Sequence, residues 1–150
     1  MLSNSIRGME KGLIAILDDD DLDRYIYKKI ILLTSPGFKV IDFSTGQEAL
    51  DYLTHNADRK IHLPDIIILD VKMPIVSGWQ YLKHYNLLKP ILKKHTRHYV
   101  CTSSIEQFKD DKKSDDLFGY FRKPLSPEDM RGIIDDTRSG LKAGISKDKM

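Results

Sequence analysis

Carboxylates stand directly after two short apolar runs of the sequence, where acidic groups can do chemistry. Asp18 and Asp19 follow the run from Leu13 to Leu17, and Asp70 follows the isoleucines and leucine of the stretch PDIIILDVKMPIVSG. Continuous branched apolar runs are typical of strands buried on both faces of a parallel sheet. Ligands bind at the carboxyl ends of such strands, so these carboxylates are better explained by a site than by packing.

A hydroxyl and an amine follow two later apolar segments. Thr102 comes directly after Cys101, and Lys123 comes directly after the segment GYFR. Three carboxylates at one sheet edge repel one another, and a hard divalent cation such as Mg²⁺ relieves that repulsion. A lysine and a hydroxyl at the same edge can bind anionic oxygens. Together these groups predict phosphoryl transfer to a carboxylate nucleophile, with an aspartyl phosphate as product.

Alternating strands and helices must position these residues. The predicted strands cover 13–17, 38–43, 65–69, 99–102 and 119–122. The predicted helices begin at Leu22, after Ser44 or Thr45, at Trp79 and after Ser126. This alternation predicts an α/β fold with a doubly wound parallel sheet and helices on both faces. The spacing of five apolar residues predicts the buried face of the first helix: Leu22, Tyr25, Ile26, Ile30 and Leu33.

Length and composition predict one ordinary globular domain. The chain has 150 residues, of which 41% are hydrophobic and 31% charged, and 24 basic residues face 22 acidic ones. This balance gives no indication of nucleic-acid binding. No apolar run approaches the roughly 20 residues that span a bilayer, so we expect no membrane span and a cytoplasmic location. We expect a flexible leader over 1–11, one domain over 12–141 and a polar tail over 142–150.

Four segments in this order and spacing resemble the receiver domain of two-component response regulators: LIAILDDDDLDR, IIILDVKMPIVSGW, VCTSS and GYFRKPLSPED. The resemblance covers nearly all of residues 12–141 and implies a flavodoxin-like fold with strand order 2-1-3-4-5. It implies that Asp70 accepts the phosphoryl group, that Asp19 is the principal Mg²⁺ ligand and that Asp18 acts through water. The backbone carbonyl of Lys72 would be the third protein ligand.

The resemblance also implies how phosphorylation would be sensed. Thr102 matches the hydroxyl residue that turns toward the phosphoryl group, Lys123 matches the lysine that pairs with it, and Tyr120 matches the aromatic switch position. Tyr120 could also be a plain core aromatic, and a one-residue shift would exchange Thr102 with Ser103. The sequence departs from the family pattern at FKDDKKSDD, where we expect a short, exposed or mobile fourth helix within 105–117.

The leading hypothesis is a single-domain response regulator phosphorylated on Asp70 by a histidine kinase or phosphotransfer protein. It would signal through contacts with a downstream protein, which the sequence does not identify, or by onward phosphotransfer. It would act as a monomer or weak dimer and would not be an enzyme. One alternative is a phosphorylation-independent adaptor. Another is a Mg²⁺-dependent phosphatase, although Lys72 stands where such an enzyme would place its second acid.

The remaining polar residues have simpler interpretations. Asp20, Asp21 and Asp23 are expected to be solvated or to cap a helix. The five histidines lack metal-ligand spacing and are expected on the surface or in loops, and Cys101 is expected to be a small buried hydrophobe.

Overall fold

A computed structural model describes residues 12–73, 77–103 and 116–140 of the chain. Five strands form one parallel sheet in the order β2-β1-β3-β4-β5. The strands are β1 Leu13–Leu17, β2 Lys39–Phe43, β3 Ile66–Leu69, β4 Arg97–Thr102 and β5 Leu117–Arg122. The helices in the described ranges are α1 Asp21–Thr34, α2 Gly46–His55, α3 Gly78–Leu88 and α4 Pro127–Ser139, with short 3-10 helices at Lys60–His62 and Lys89–Ile91. The predicted fold and strand order are confirmed.

The register of the sheet places the strand ends side by side. Leu17 of β1 lies opposite Phe43 of β2 and Leu69 of β3, so β1 and β3 end at the same level. The ladder continues one residue further, because the Asp70 amide donates to the Leu17 carbonyl at 3.0 Å and the Asp18 amide donates to the Phe43 carbonyl at 3.2 Å. The first residue after each central strand is therefore fixed by backbone hydrogen bonds.

Both faces of the sheet are covered, which explains the continuous apolar runs. Along β1, Ala15 and Leu17 pack into the core beneath α2 and α3, while Ile14 and Ile16 pack into the core beneath α1 and α4. Side chains alternate between the two faces of a strand, so a strand covered on both sides needs an apolar residue at every position.

The predicted buried face of α1 is wrong at four of its five residues, and the fifth, Ile30, is partly buried against the core. The buried residues of this helix are Tyr27 and Ile31, whereas the side chains of Leu22 and Leu33 are 63% and 77% exposed. Helix α1 has apolar residues on two faces. The narrower face packs against the core, because polar contacts hold it there. Arg24 donates to the Asp18 carbonyl at 2.7 Å, and the Tyr27 hydroxyl donates to the sulfur of buried Cys101 at 3.3 Å. These bonds favour the observed rotation of the helix, which leaves most of the wider apolar stripe exposed.

Several boundaries differ from the predictions. Strand β4 begins at Arg97 and β5 at Leu117, two residues earlier than expected in each case. Ser126 caps α4 as predicted, with Pro127 in the first turn. The predicted leader, the polar tail and almost all of the predicted fourth helix lie outside the described residues. None of the helices within the described ranges is long and apolar enough to cross a membrane.

Candidate functional site

Three carboxylates meet where β1 and β3 end. Asp18 and Asp70 are buried and Asp19 is exposed, and one carboxylate oxygen from each lies within 4.8 Å of the others. Like charges this close disfavour one another, and burial adds to the cost. The cluster therefore needs positive charge.

Lys123 supplies that charge from the end of β5. Its ammonium nitrogen lies 2.9 Å from Asp18 Oδ2 and 3.0 Å from Asp70 Oδ2. The Lys123 amide donates to the Thr102 carbonyl at 3.0 Å, which continues the β4–β5 ladder into the site, and the Lys123–Pro124 peptide bond is cis. The ends of β4 and β5 thus place a cation beside the carboxylates that follow β1 and β3.

Burial and ion pairing compete at both ends of this contact. Burial raises the pKa of Asp18 above its ordinary value, and the Asp20 amide and Lys123 only partly oppose that shift. Burial lowers the pKa of Lys123, but its hydrogen bonds to Asp23, Asp18 and Asp70 outweigh it and leave that pKa above the ordinary value. Lys123 is therefore protonated throughout the physiological pH range.

The loop after Asp70 is held close to the site. The Lys72 amide donates to Asp70 Oδ1 at 3.0 Å, so one carboxylate oxygen faces the loop while the other faces Lys123. The Lys72 side chain is exposed. A Cβ on Gly78 would lie 2.6 Å from the Val71 Cα and 2.8 Å from the Asp70 carbonyl oxygen. Only a glycine lets the start of α3 approach the loop this closely.

The remaining predicted site residues occupy different environments. Thr102 is the last residue of β4 and is fully buried, whereas the neighbouring Ser103 is exposed. Tyr120 of β5 is half-buried and packs against the core beneath α2 and α3. The structure thus favours Thr102 over Ser103 as the inward-facing hydroxyl, and it leaves Tyr120 partly accessible.

Asp23 was missed by sequence reasoning. Its carboxylate oxygen Oδ2 lies 2.7 Å from the Lys123 ammonium, so it is not simply solvated. Asp20 does cap α1, accepting from the Leu22 and Asp23 amides, and Asp21 pairs with Arg24. Side chains in a helix lean toward its N-terminus, so an acid in the first turn after a strand end can reach back to that end. That geometry is the signal that could have identified Asp23.

The donor set fits a hard divalent cation. Asp18, Asp19 and Asp70 offer carboxylate oxygens only, from one partly open cluster. Mg²⁺ binds through a few carboxylates and retains water on its other positions, which suits two buried acids beside an exposed one. These three residues could hold Mg²⁺.

A comparison with protein families decides what kind of domain carries this site. The family model described as "Response regulator receiver domain" matches residues 14–135. The chain belongs to the response regulator receiver domain family. Receiver domains are signalling modules of two-component systems that bind Mg²⁺ at an acidic pocket and interact with histidine kinases or phosphotransfer proteins.

Relatives and solved structures agree with this receiver assignment. The chain is 26% identical over 129 residues to the DNA-binding transcriptional regulator NtrC of Klebsiella pneumoniae, covering 85% of this chain but 25% of that protein. It is 30% identical over 70 residues to the polar-differentiation response regulator DivK of Brucella ovis, covering 47% of this chain and 50% of that one. A two-component response regulator from Cytophaga hutchinsonii superimposes with a TM-score of 0.72 at 24% identity, covering 86% and 98% of the two chains. The chain thus spans about a quarter of NtrC.

Proposed function

We propose that this receiver domain is a phosphorylation-dependent switch and that Asp70 is its phosphoacceptor. The observation that carries the proposal is the position of Asp70: it is buried at the end of a central strand, beside two other carboxylates and 3.0 Å from the Lys123 ammonium. Burying a carboxylate here costs free energy. A catalytic role explains why three strands bring charged groups together at this position.

The proposed reaction is an attack by an Asp70 carboxylate oxygen on the phosphorus of the donor. A new oxygen–phosphorus bond forms, the bond to the donor breaks, and the donor atom keeps the electron pair. Mg²⁺ held by Asp18, Asp19, Asp70 and the Lys72 carbonyl would supply positive charge for the phosphoryl oxygens. The Lys123 ammonium would add a second positive charge and would orient the phosphoryl group from the end of β5.

The switch is proposed to follow from new partners for Lys123 and Thr102. In the structure, Lys123 bonds an Asp70 oxygen that would carry or adjoin the phosphoryl group. After phosphorylation, Lys123 would bond a phosphoryl oxygen and the Thr102 hydroxyl would donate to another. Tyr120 would change its packing in response. These contacts would bias a pre-existing equilibrium between two conformations.

The proposed phosphodonor is a histidine kinase or a histidine phosphotransfer protein in the cytoplasm. The exposed apolar face of α1 supports a protein donor, because this helix begins three residues after Asp18 and the Leu22 and Tyr25 side chains of its first turns are mostly exposed. Exposed apolar surface beside a site is typical of protein contacts. The output is proposed to pass to a second protein, with the receiver acting as a monomer or weak dimer and not as an enzyme.

The test is intact-mass measurement after incubation with Mg²⁺ and acetyl phosphate. We expect the wild-type chain to gain one phosphoryl group and Asp70→Asn to gain none. Asp51→Asn, which changes an exposed acid of α2, serves as the matched control and should gain the group as the wild type does. Equal gain in Asp70→Asn would contradict the proposal. Mixing both forms with a phosphohistidine protein extends the same comparison to a protein donor.

Phosphate release and partner binding distinguish the two alternatives from the proposed switch. A phosphatase would release inorganic phosphate continuously from small phosphoesters, whereas the proposed switch would not. An adaptor that does not use phosphorylation would gain no phosphoryl mass, and its partner binding would be the same in the wild type and Asp70→Asn.

A further inference from the structure

Among the residues that the structure describes, Asp23 makes the shortest of the three ion pairs to Lys123. Its Oδ2 lies 2.7 Å from the ammonium nitrogen, compared with 2.9 Å for Asp18 and 3.0 Å for Asp70. The Asp23 side chain is 29% exposed, whereas those of Asp18 and Asp70 are almost fully buried. Asp23 is therefore the most solvent-accessible of these three carboxylates that bond Lys123.

The other polar groups around the first turn of α1 have different partners. Asp20 accepts from the backbone amides at the start of the helix, and Arg24 bonds Asp21, Asp42 and the Asp18 carbonyl. Asp20 caps the helix and accepts from the Asp23 amide. The Asp23 carboxylate is therefore not the capping group. The contact with Lys123 thus joins α1 directly to the end of β5.

We propose that Asp23 is a positioning residue for Lys123 that also sets the charge of the site, and thereby the balance between binding a metal cation and binding a phosphoryl anion. The inference rests on the proposed phosphoryl chemistry at Asp70. Asp23 keeps the ammonium near the buried carboxylates and offsets its positive charge. Both effects follow from one carboxylate at hydrogen-bond distance.

Removing only the charge of Asp23 separates this role from a structural one. Asp23→Asn has nearly the same shape, and its amide oxygen can still accept from Lys123. The site gains one unit of positive charge, which disfavours Mg²⁺ and favours an anionic phosphoryl group. A distorted site would bind both ligands less well. Opposite changes in the Mg²⁺ and phosphoryl affinities therefore distinguish a charge-setting role from a distorted site.

The experiment measures two affinities on the full chain. Mg²⁺ is titrated alone, with the fluorescence of the single tryptophan, Trp79, as the readout, because Trp79 follows the glycine that packs on the Asp70 loop. Beryllofluoride, a mimic of the phosphoryl group, is then titrated at saturating Mg²⁺. For Asp23→Asn we expect the Mg²⁺ Kd to rise about three- to tenfold, as for a charge a few ångströms away in a partly exposed site, and the beryllofluoride Kd to fall.

Two further variants make the result decisive. Asp21→Asn removes an acid from the same turn of α1 whose side chain is 93% exposed and faces Arg24, and it should leave both affinities unchanged. Asp23→Glu keeps the charge and should retain the wild-type Mg²⁺ affinity. Unchanged affinities in Asp23→Asn, or weaker binding of both ligands, would overturn the inference. The Mg²⁺ titration involves no phosphorylation, so its outcome is independent of whether Asp70 gains a phosphoryl group.

Discussion

His98 is a histidine of β4 whose side chain is fully buried away from the acidic site. Its Nδ1 lies 3.1 Å from the Thr96 carbonyl oxygen and its Nε2 lies 2.9 Å from the Tyr81 hydroxyl. A nitrogen that faces a carbonyl must carry a proton, so Nδ1 donates to Thr96 and Nε2 accepts from Tyr81. The Tyr85 ring packs edge-on at 4.5 Å. The neutral imidazole is satisfied on every side.

Acid should therefore destabilise the fold through His98. Burial lowers the pKa of His98 to about 4, although Asp116 and backbone hydrogen bonds act in the opposite direction. The unfolded chain takes up a proton below about pH 6.5, whereas the folded chain does so only near pH 4, so stability present above pH 6.5 is lost as the pH falls. Between pH 7 and pH 5 we expect the free energy of unfolding to fall by about 2 kcal/mol from this residue.

Urea unfolding at the two pH values measures that loss. His98→Gln can replace the hydrogen bonds but does not titrate, so its unfolding free energy should change about 2 kcal/mol less than that of the wild type between pH 7 and pH 5. Equal pH dependence in the two proteins would show that His98 is not the responsible group.

The burial of His98 also shows where residue-level prediction failed. The histidine follows the basic stretch from Lys93 and was expected on the surface or in a loop. The structure extends β4 back to Arg97, so His98 lies within a strand covered on both faces. Its hydroxyl partner comes from α3, 17 residues earlier in the chain. A sequence pattern does not show such a distant partner.

At the scale of elements, the approach of α3 to the Asp70 loop depends on Gly78. The Gly78 amide donates to the Val71 carbonyl at 3.2 Å, and a methyl group at this position would collide with the backbone of Val71 and Asp70. Neither of those backbone atoms can rotate away. We expect Gly78→Ala to lower the free energy of unfolding by about 1–3 kcal/mol, as overpacking does elsewhere, and to displace the loop.

Gly132 provides the matched control for that substitution. It lies within α4, and nothing lies within 4 Å of where its Cβ would be. Gly132→Ala should therefore raise the free energy of unfolding by about 0.5–1 kcal/mol through helix propensity alone. Urea unfolding measures the change in the free energy of unfolding for both variants. If Gly78→Ala were as stable as the wild type, the close approach of α3 to the Asp70 loop would not require a glycine.

Helix α1 shows why element-level prediction was only partly successful. In α2, α3 and α4 the buried residues, including Leu53, Tyr85 and Ile133, follow the helical spacing of apolar residues in the sequence. Each of these helices has one dominant apolar face. Helix α1 has two, and the bonds of Arg24 and Tyr27 to the strand ends decide between them. Periodicity alone could not weigh those polar contacts against a wider apolar stripe.

At the scale of the whole molecule, the parallel topology brings the candidate site together. Asp18, Asp70 and Lys123 are separated by long stretches of sequence, yet each follows a strand, and parallel strands in register end at one edge. Strand ends could therefore be predicted from apolar runs. Apolar runs do not indicate Asp23, because it reaches the edge from the first turn of a helix and its partner, Lys123, lies 100 residues away.

Because the site joins three strands and a helix, its ligand should stabilise the entire fold. Mg²⁺ that binds the folded chain and not the unfolded one raises the free energy of unfolding, by about 2.7 kcal/mol at a hundred times its Kd. Thermal unfolding with Mg²⁺, compared with added EDTA at matched ionic strength, should show a higher Tm with the metal. Asp19→Asn keeps both buried acids but replaces the exposed carboxylate of the cluster with a neutral amide, whose oxygen is a weaker Mg²⁺ ligand. Its Tm should depend on Mg²⁺ much less than that of the wild type, whereas its Tm in EDTA should match or exceed the wild-type value because one like charge is gone. An equal Mg²⁺-induced rise in both proteins would place the stabilising metal away from this cluster.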